Sequence, residues 1–213
     1  MSPKPLQIGV MLEAVQLSDI MGIDILGSCS KAYITASLAF GAIPATFADL
    51  APDITFHYIS SSLEPSFVTP SLRFLPTHTY DSCPRDLDIL LVGGPLPDHR
   101  PAAADKFLKE AAEKTEVIMS VCTGGMWLAD AGVLEGKKAT ANRGVLEILR
   151  KTHPEVEWKD ERWVVDGKFW TAGGAGCGVD MVVEYVKQVL DERVVAYALE
   201  ALQLGSGKGR FYG

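Results

Sequence analysis

The sequence lacks an excess of positive charge, and it lacks any apolar run long enough to span a membrane. Acidic residues number 27 against 20 Lys and Arg, and the formal net charge is −7. The shortage of basic residues argues against nonspecific binding of nucleic acids, which requires neutralisation of phosphates, and against binding of anionic membrane surfaces. No apolar run approaches the roughly 18 residues of a transmembrane helix. We therefore expect partners other than nucleic acids and membranes.

Cysteine is also scarce, and its spacing excludes the common metal-binding patterns. The four cysteines form no CxxC motif and have no HxxxH beside them; they are Cys29, Cys83, Cys122 and Cys177. This spacing is not typical of a zinc site, and we expect no metal and no organic cofactor. The short apolar run Ile8–Leu12 is not followed by a signal-peptide cleavage site. A cytoplasmic protein is therefore the expectation.

The length and the composition that are present fit one globular domain. The chain has 213 residues, of which 47% are hydrophobic and 22% are charged. These fractions are ordinary for a globular protein, and a single domain typically has about 150 residues. No linker, repeat or low-complexity stretch interrupts the chain. We expect a single domain over residues 1–213, with a core at about 7–190 and a C-terminal helix and tail to 213.

Short apolar runs that predict buried strands alternate with helical segments along the chain. The predicted strands are Gln7–Leu12, Thr55–Ser60, Phe67–Val68, Leu72–Leu75, Leu87–Val92, Glu116–Val121 and Lys138–Ala141, followed by a hairpin around Asp166-Gly167. The predicted helices run from Ser18-Asp19 to Leu38, over Ala102–Lys114, Met126–Ala131 and Val145–Lys151, and onward from about Val179 as one long helix. This alternation predicts a three-layer α/β/α sandwich with a mostly parallel sheet.

Cys122 lies where a predicted strand turns into a predicted helix. The sharp turn of a nucleophile elbow requires small neighbours, and Ser120, Gly124 and Gly125 meet that requirement. The start of the helix favours negative charge, and cysteines in such positions titrate at roughly 3.5–7.5. The pattern therefore predicts a reactive thiolate at Cys122.

Two further elements are expected at the same edge of the sheet as Cys122. The carboxyl ends of parallel strands carry the chemistry in such folds, and Asp19 and the Gly93-Gly94 turn each follow a predicted strand. The backbone N–H of Thr123 is placed to stabilise a developing negative charge, and a glycine N–H of the Gly93-Gly94 turn can add a second donor. Asp19 is either a carboxyl of the site or the N-cap of the helix that follows it.

Four segments, in this order along the chain, resemble those of a known protein family. They are VQLSDIMGIDIL, LDILLVGGP, VIMSVCTGGMWLADAGVLEGKKAT and TAGGAGCGVDM. The chain resembles the ThiJ/PfpI superfamily over about residues 7–190, and within it a fungal-type branch similar to isocyanide hydratase. The resemblance implies a flavodoxin-like or glutamine amidotransferase-like fold. It also implies that Cys122 is the nucleophile, that Asp19 contacts its sulfur, and that Thr123 and Gly94 are the backbone donors.

One position departs from the family pattern. Several branches have a histidine after the strand that ends at Ala141, and this chain has Asn142 there. Asparagine cannot accept a proton, so a Cys–His pair is missing at that place. Asn142 is either a ligand of substrate or water, or a plain turn residue. His99, on the loop that leaves the Gly93-Gly94 turn, is a candidate to replace the missing base.

Three functions are compatible with these residues. The first is hydration of an isocyanide to an N-substituted formamide, because an aspartate at position 19 resembles isocyanide hydratase where other branches have glutamate. The second is glyoxalase or deglycase activity on methylglyoxal. The third is a cysteine redox sensor or stress chaperone without catalysis. The substrate is expected to be a small molecule, and the resemblance implies a homodimer.

Overall fold

A seven-stranded sheet runs through the centre of the fold. The computed structural model describes residues 3–41 and 43–204. The strands are β1 Leu6–Met11, β2 Ile54–Ser60, β3 Ser66–Val68, β4 Leu72–Phe74, β5 His78–Thr79, β6 Ile89–Val92, β7 Val117–Val121, β8 Lys138–Ala139, β9 Glu157–Trp158, β10 Trp163–Asp166 and β11 Phe169–Ala172. The order across the sheet is β10-β11-β7-β6-β1-β2-β5. Only the β10–β11 pair in this sheet is antiparallel, so the predicted mostly parallel sheet is confirmed.

Helices cover both faces of the sheet. They are α1 Gly22–Ser28, α2 Lys31–Ser37, α3 Ala102–Lys114, α4 Gly124–Asp130, α5 Leu146–Thr152, α6 Ala175–Val189 and α7 Glu192–Ala201. The strands bury both faces, and in β6 Ile89 and Leu91 pack with α1, α2, α6 and α7. Leu90 and Val92 of the same strand pack with α3, α4 and α5. This alternation of period two produces the predicted three layers.

Several predicted elements have the observed bounds or nearly so. Helix α3 has the predicted bounds, and the β10–β11 hairpin closes around Asp166 and Gly167, whose φ is +58°. The parallel strands β1, β6 and β7 begin or end within two residues of the predictions. Within residues 3–41 and 43–204, no helix is both long enough and apolar enough to cross a membrane.

Two predicted long helices are wrong because local caps divide them. The segment after Ser18 forms a 3-10 helix at Leu17–Ile20 and then the short helices α1 and α2, and the hydroxyl of Ser30 accepts from the N–H of Tyr33 at the start of α2. The single long helix predicted from about Val179 is instead two helices. The first, α6, ends at Val189, and the carboxylate of Asp191 caps the second, α7, by accepting from the N–H of Arg193. Side-chain caps of this kind compete with continuation of a helix.

The strand predicted at Lys138–Ala141 is shorter than expected. Only Lys138 and Ala139 are paired, in a small separate sheet with β9, and residues 140–142 cross the carboxyl edge of the central sheet as an irregular segment. The tail predicted at Gly205–Gly213 lies outside the described residues. The irregular segment after β8 matters because it carries Asn142 to the site.

Candidate active site

Cys122 lies on a sharp turn between β7 and α4, as the elbow pattern predicts. Its φ is +60°. Residues other than glycine rarely adopt this strained conformation, and those that do cluster at functional sites. The N–H of Cys122 donates to the carbonyl of Ala172 on β11 at 3.0 Å, which holds the turn on the sheet. The side chain is partly exposed, whereas Cys29, Cys83 and Cys177 are buried. The turn therefore presents the sulfur at the carboxyl edge of the sheet.

Gly124 lets the start of α4 approach the end of β6. A Cβ at this position would lie 2.4 Å from the carbonyl oxygen of Val92 and 3.0 Å from that of Gly93. Backbone atoms cannot move aside as the end of a flexible side chain can. The glycine is therefore required to bring the elbow close to the Gly93-Gly94 turn.

We expect Gly124→Ala to lower the free energy of unfolding by about 3 kcal/mol, because overpacking against backbone shifts α4 off β6. Urea unfolding at neutral pH measures the change. Gly176→Ala is the matched control: it lies in the first turn of α6 with nothing near the added Cβ. That control should stabilise by about 0.5 kcal/mol through helix propensity. Equal effects of the two variants would contradict the close approach.

The structure brings Asp19 to Cys122. Asp19 lies inside the 3-10 helix Leu17–Ile20 and its exposed fraction is 2%. The N-caps of this helix and of α1 are Gln16 and Met21, so Asp19 is not the N-cap of either helix. Oδ2 accepts from the N–H of Gly94 at 3.1 Å, whereas Oδ1 is buried without a regular hydrogen-bond partner among the described residues. Burial raises the pKa of Asp19 to about 6, and the interactions with Gly94 and with the Cys122 thiol oppose that rise. Asp19 is thus a buried carboxyl facing the sulfur.

Gly94 positions the carboxyl of Asp19. Its N–H, expected to stabilise a developing negative charge, is engaged by Asp19 in the resting site. A Cβ on Gly94 would lie 2.6 Å from Asp19 Oδ2 and 2.7 Å from Thr123 Oγ1. The N–H of Thr123 acts on the Cys122 sulfur, and its hydroxyl donates to the carbonyl of Pro95 at 3.3 Å. In the resting site, the N–H of Gly94 therefore binds the Asp19 carboxyl, and the N–H of Thr123 binds the Cys122 sulfur.

The electrostatics of Cys122 differ from the expectation of a lowered pKa. Burial raises the pKa of the thiol, and the negative charge of Asp19 raises it further. Hydrogen bonds from Asn142 and from the N–H of Thr123 lower it, but they do not outweigh burial and the carboxylate. Two groups that interact so closely titrate as a pair. At neutral pH, Cys122 and Asp19 therefore hold one proton between them.

Asn142 contacts the sulfur of Cys122 directly. Its Nδ2 donates to Sγ at 3.2 Å. The sequence predicted a ligand of substrate or water, or a turn residue, and did not predict this donor. The signal available in the sequence was the departure from the family pattern at position 142, which marked this residue as one to inspect.

His99 is not brought to Cys122 as a replacement base. Its Nε2 lies 3.4 Å from Oε2 of Glu13, and its ring stands edge-on to Trp127 with centroids 5.8 Å apart. The same Glu13 oxygen accepts from the N–H and the hydroxyl of Ser61 at 2.9 and 2.6 Å. Sequence reasoning missed Glu13, although it lies two residues after the end of β1, at the carboxyl edge of the sheet.

Glu13 makes the fold sensitive to acid. Burial raises the pKa of this carboxyl, but the contact with His99 and the hydrogen bonds from Ser61 outweigh burial and lower the pKa from 4.5 to about 2. A depressed pKa stabilises the fold above the ordinary pKa, and that stability is lost as the pH falls towards 2. We expect Glu13→Gln to lower the free energy of unfolding by about 2 kcal/mol at pH 6 and by less at pH 3. Urea unfolding at both pH values measures this, and exposed Glu64→Gln should show neither change.

The described residues contain no group of three or more His, Cys, Asp or Glu side chains arranged to hold a metal ion. The polar groups that converge on the sulfur are the carboxyl of Asp19, the amide of Asn142 and the N–H of Thr123. This arrangement supplies one acid and two neutral donors to a cysteine. It is suited to covalent chemistry on a small electrophile.

Known proteins share this architecture. Isonitrile hydratase of Pseudomonas putida is 31% identical over 144 residues, which cover 65% of this chain and 61% of that enzyme. The HTH-type transcriptional regulator CdhR of Pseudomonas aeruginosa is 23% identical over 100 residues, covering 47% of this chain and 30% of the regulator. The matches thus span less than two thirds of the length of either relative. A crystal structure of a ThiJ/PfpI family protein from Pseudomonas syringae has a TM-score of 0.77 at 22% identity, covering 96% of this chain and 77% of that one.

The family model that matches covers the part of the chain that contains the elbow. Residues 43–188 match the DJ-1/PfpI family, a range that includes Gly94, Cys122 and Asn142 and begins after Asp19. The match extends over more than half of the 213 residues. The fold, the nucleophile elbow and this match agree: the chain belongs to the DJ-1/PfpI family.

Proposed function

We propose that this protein is a cofactor-independent cysteine enzyme that hydrates an isocyanide to an N-substituted formamide. The observation that carries the proposal is the buried carboxyl of Asp19 beside the Cys122 sulfur, with an amide and no imidazole on the other side. Hydration of an isocyanide needs a nucleophile and one acid that can return its proton. The pair holds one proton, and it therefore matches that requirement.

The first step forms a covalent adduct. The thiolate of Cys122 attacks the terminal carbon of the isocyanide, and an S–C bond forms. The electron pair left on that carbon takes the proton of the Asp19 carboxyl, and a C–H bond forms. The product is a thioimidate on Cys122 with Asp19 ionised. A raised pKa favours this step, because burial disfavours the ionised carboxyl and lets Asp19 compete better with the thiol for the single proton of the pair.

Water then releases the product. Asp19 accepts a proton from a water molecule while the oxygen of that water bonds to the thioimidate carbon. Asp19 then passes the proton to the thioimidate nitrogen. The hydroxyl of the tetrahedral adduct gives its proton to Asp19 as the C=O bond forms and the C–S bond breaks. The products are the formamide and the Cys122 thiolate, with Asp19 protonated again. The sum is one isocyanide and one water converted to one formamide.

Similarity supports this reaction over the alternatives. The relative from Pseudomonas putida is named isonitrile hydratase, and the match to it includes the elbow of this chain at 31% identity. Glyoxalase chemistry with His99 as the base has no support in the geometry, because His99 contacts Glu13 and Trp127. A redox sensor would use the same thiol without turning over a substrate. An assay of isocyanide turnover therefore distinguishes a sensor from an enzyme.

The experiment is to incubate the pure protein with para-nitrophenyl isocyanide and to measure the formamide by chromatography. We expect many formamide molecules per protein molecule, and no lactate when methylglyoxal replaces the isocyanide. A protein that converts no isocyanide refutes the hydratase. Gain of two oxygens on Cys122 after mild peroxide, together with no turnover, would favour the sensor instead.

A further inference from the structure

Asn142 is held rigidly against Cys122 by the backbone as well as by its side chain. The N–H of Asn142 donates to the carbonyl of Cys122 at 3.2 Å, and the carbonyl of Asn142 accepts from the N–H of Val145 at 2.9 Å. The preceding residues are also fixed, since the N–H of Thr140 donates to Thr171 Oγ1 at 2.8 Å. The amide of Asn142 is therefore presented by a segment tied to both the elbow and the sheet.

The orientation of this amide is determined by its second contact. Oδ1 accepts from the N–H of Gly144 at 2.9 Å and caps the 3-10 helix Arg143–Val145. A backbone N–H can only donate, so the oxygen must face Gly144 and the nitrogen must face Cys122. The sulfur accordingly receives an N–H at 3.2 Å whose direction cannot be reversed without losing the cap.

A second donor reaches the same sulfur. The N–H of Thr123 acts on Cys122 from the start of α4, whereas the carboxyl of Asp19 accepts from one backbone donor, Gly94. Two N–H groups aimed at a sulfur stabilise its anion more than its neutral thiol. Among the described residues, Asp19 is the group whose charge acts on the sulfur. The donors thus bias where the shared proton resides.

We propose that Asn142 is a catalytic residue whose N–H stabilises the form of the pair in which the Cys122 sulfur is anionic and the Asp19 carboxyl holds the proton. The inference rests on the proposed role of Cys122 as nucleophile. The form with an anionic sulfur and a protonated carboxyl is the one that attacks and then protonates the substrate carbon. An asparagine performs this task without titrating, so Asp19 remains the single proton carrier at the sulfur. A histidine at 142 would add a second proton carrier to the site.

The test separates the sulfur donor from the helix cap. Asn142→Ser keeps an oxygen that can cap the N–H of Gly144, but its side chain is too short to reach Sγ. Asn142→Asp keeps the cap, is nearly isosteric, and replaces the donor by a negative charge. The rate of Cys122 alkylation by iodoacetamide is measured from pH 5 to 10, and the modified peptide is identified by mass spectrometry. This readout detects the thiolate and needs no isocyanide.

We expect Asn142→Ser to lower the alkylation rate at pH 7 by roughly 10- to 100-fold and to move the alkylation profile to higher pH. Asn142→Asp should lower the rate further. The kcat for isocyanide should fall in parallel, with KM little changed. If the profile of Asn142→Ser superimposes on that of the parent protein, the inference is wrong, even if isocyanide is hydrated. If the profile moves but no variant and no parent protein hydrates isocyanide, the proposed function fails and the role of Asn142 stands.

Discussion

Cys122→Ala is expected to reduce isocyanide hydration by roughly 10³-fold or more, because the covalent adduct can no longer form. The chromatographic formamide assay measures the loss. Electrospray mass spectrometry of the parent protein during turnover should show a mass gain equal to one isocyanide, and the variant should show none. Both results depend on the sulfur that the elbow presents at the edge of the sheet.

The control for this variant is Cys83→Ala. Burial raises the pKa of Cys83 to about 12, so this thiol stays protonated at neutral pH. The activity of Cys83→Ala should therefore remain within about twofold of the parent value. A second comparison tests the strain of the elbow. Cys122→Gly should be as inactive as Cys122→Ala but more stable by about 1 kcal/mol, because glycine tolerates the φ of +60°. Formamide production by Cys122→Ala at the parent rate would refute the covalent mechanism.

Asp19→Asn is expected to lower kcat by roughly 10²- to 10⁴-fold, the range that general acid–base catalysis contributes. Asparagine can still accept from the N–H of Gly94, so the geometry around Gly94 is retained while the proton is lost. In the parent protein the rate should fall below pH 6, where the pair takes up its second proton. The variant should show no such fall. Activity is followed by formamide production from pH 4 to 9.

Two other properties of Asp19→Asn should improve, which distinguishes a catalytic role from a structural one. Removing the negative charge lowers the pKa of Cys122, so alkylation at pH 7 should become faster. Burial raises the pKa of Asp19 from 3.8 to about 6, so ionisation above pH 6 destabilises the fold. The variant escapes this penalty. Its free energy of unfolding should therefore exceed that of the parent protein at pH 8, and the difference should shrink below about pH 4.

The control is Asp24→Asn, an exposed carboxyl on α1 a short distance along the chain. Its activity and its stability should match those of the parent protein at every pH. The role of Asp19 is refuted if Asp19→Asn retains the parent kcat. A structural role is indicated instead if the variant is both inactive and less stable at pH 8.

Much of the fold and the position of the nucleophile could be predicted from local patterns. The apolar runs at β6 and β7 are buried on both faces and therefore read as central strands, and α3 has a polar face and an apolar face along its whole length. The elbow at Cys122 is also local, because it is built from a strand, a turn and small residues that are adjacent in sequence. Divided helices were missed because the hydroxyl of Ser30 and the carboxylate of Asp191 cap new helices inside apolar stretches.

The sequence alone thus established an α/β sandwich with a cysteine elbow, since strand burial, helix periodicity and turn chemistry act between neighbouring residues. The partners of each polar group were established only by the folded chain. Gly94 and Asp19 are 75 residues apart, and Asn142 and Cys122 are 20 apart. The raised pKa of the thiol, the amide directed at the sulfur and the pairing of His99 with Glu13 all arise from such approaches. Distances and burial between remote segments set these energies, and no local pattern encodes them.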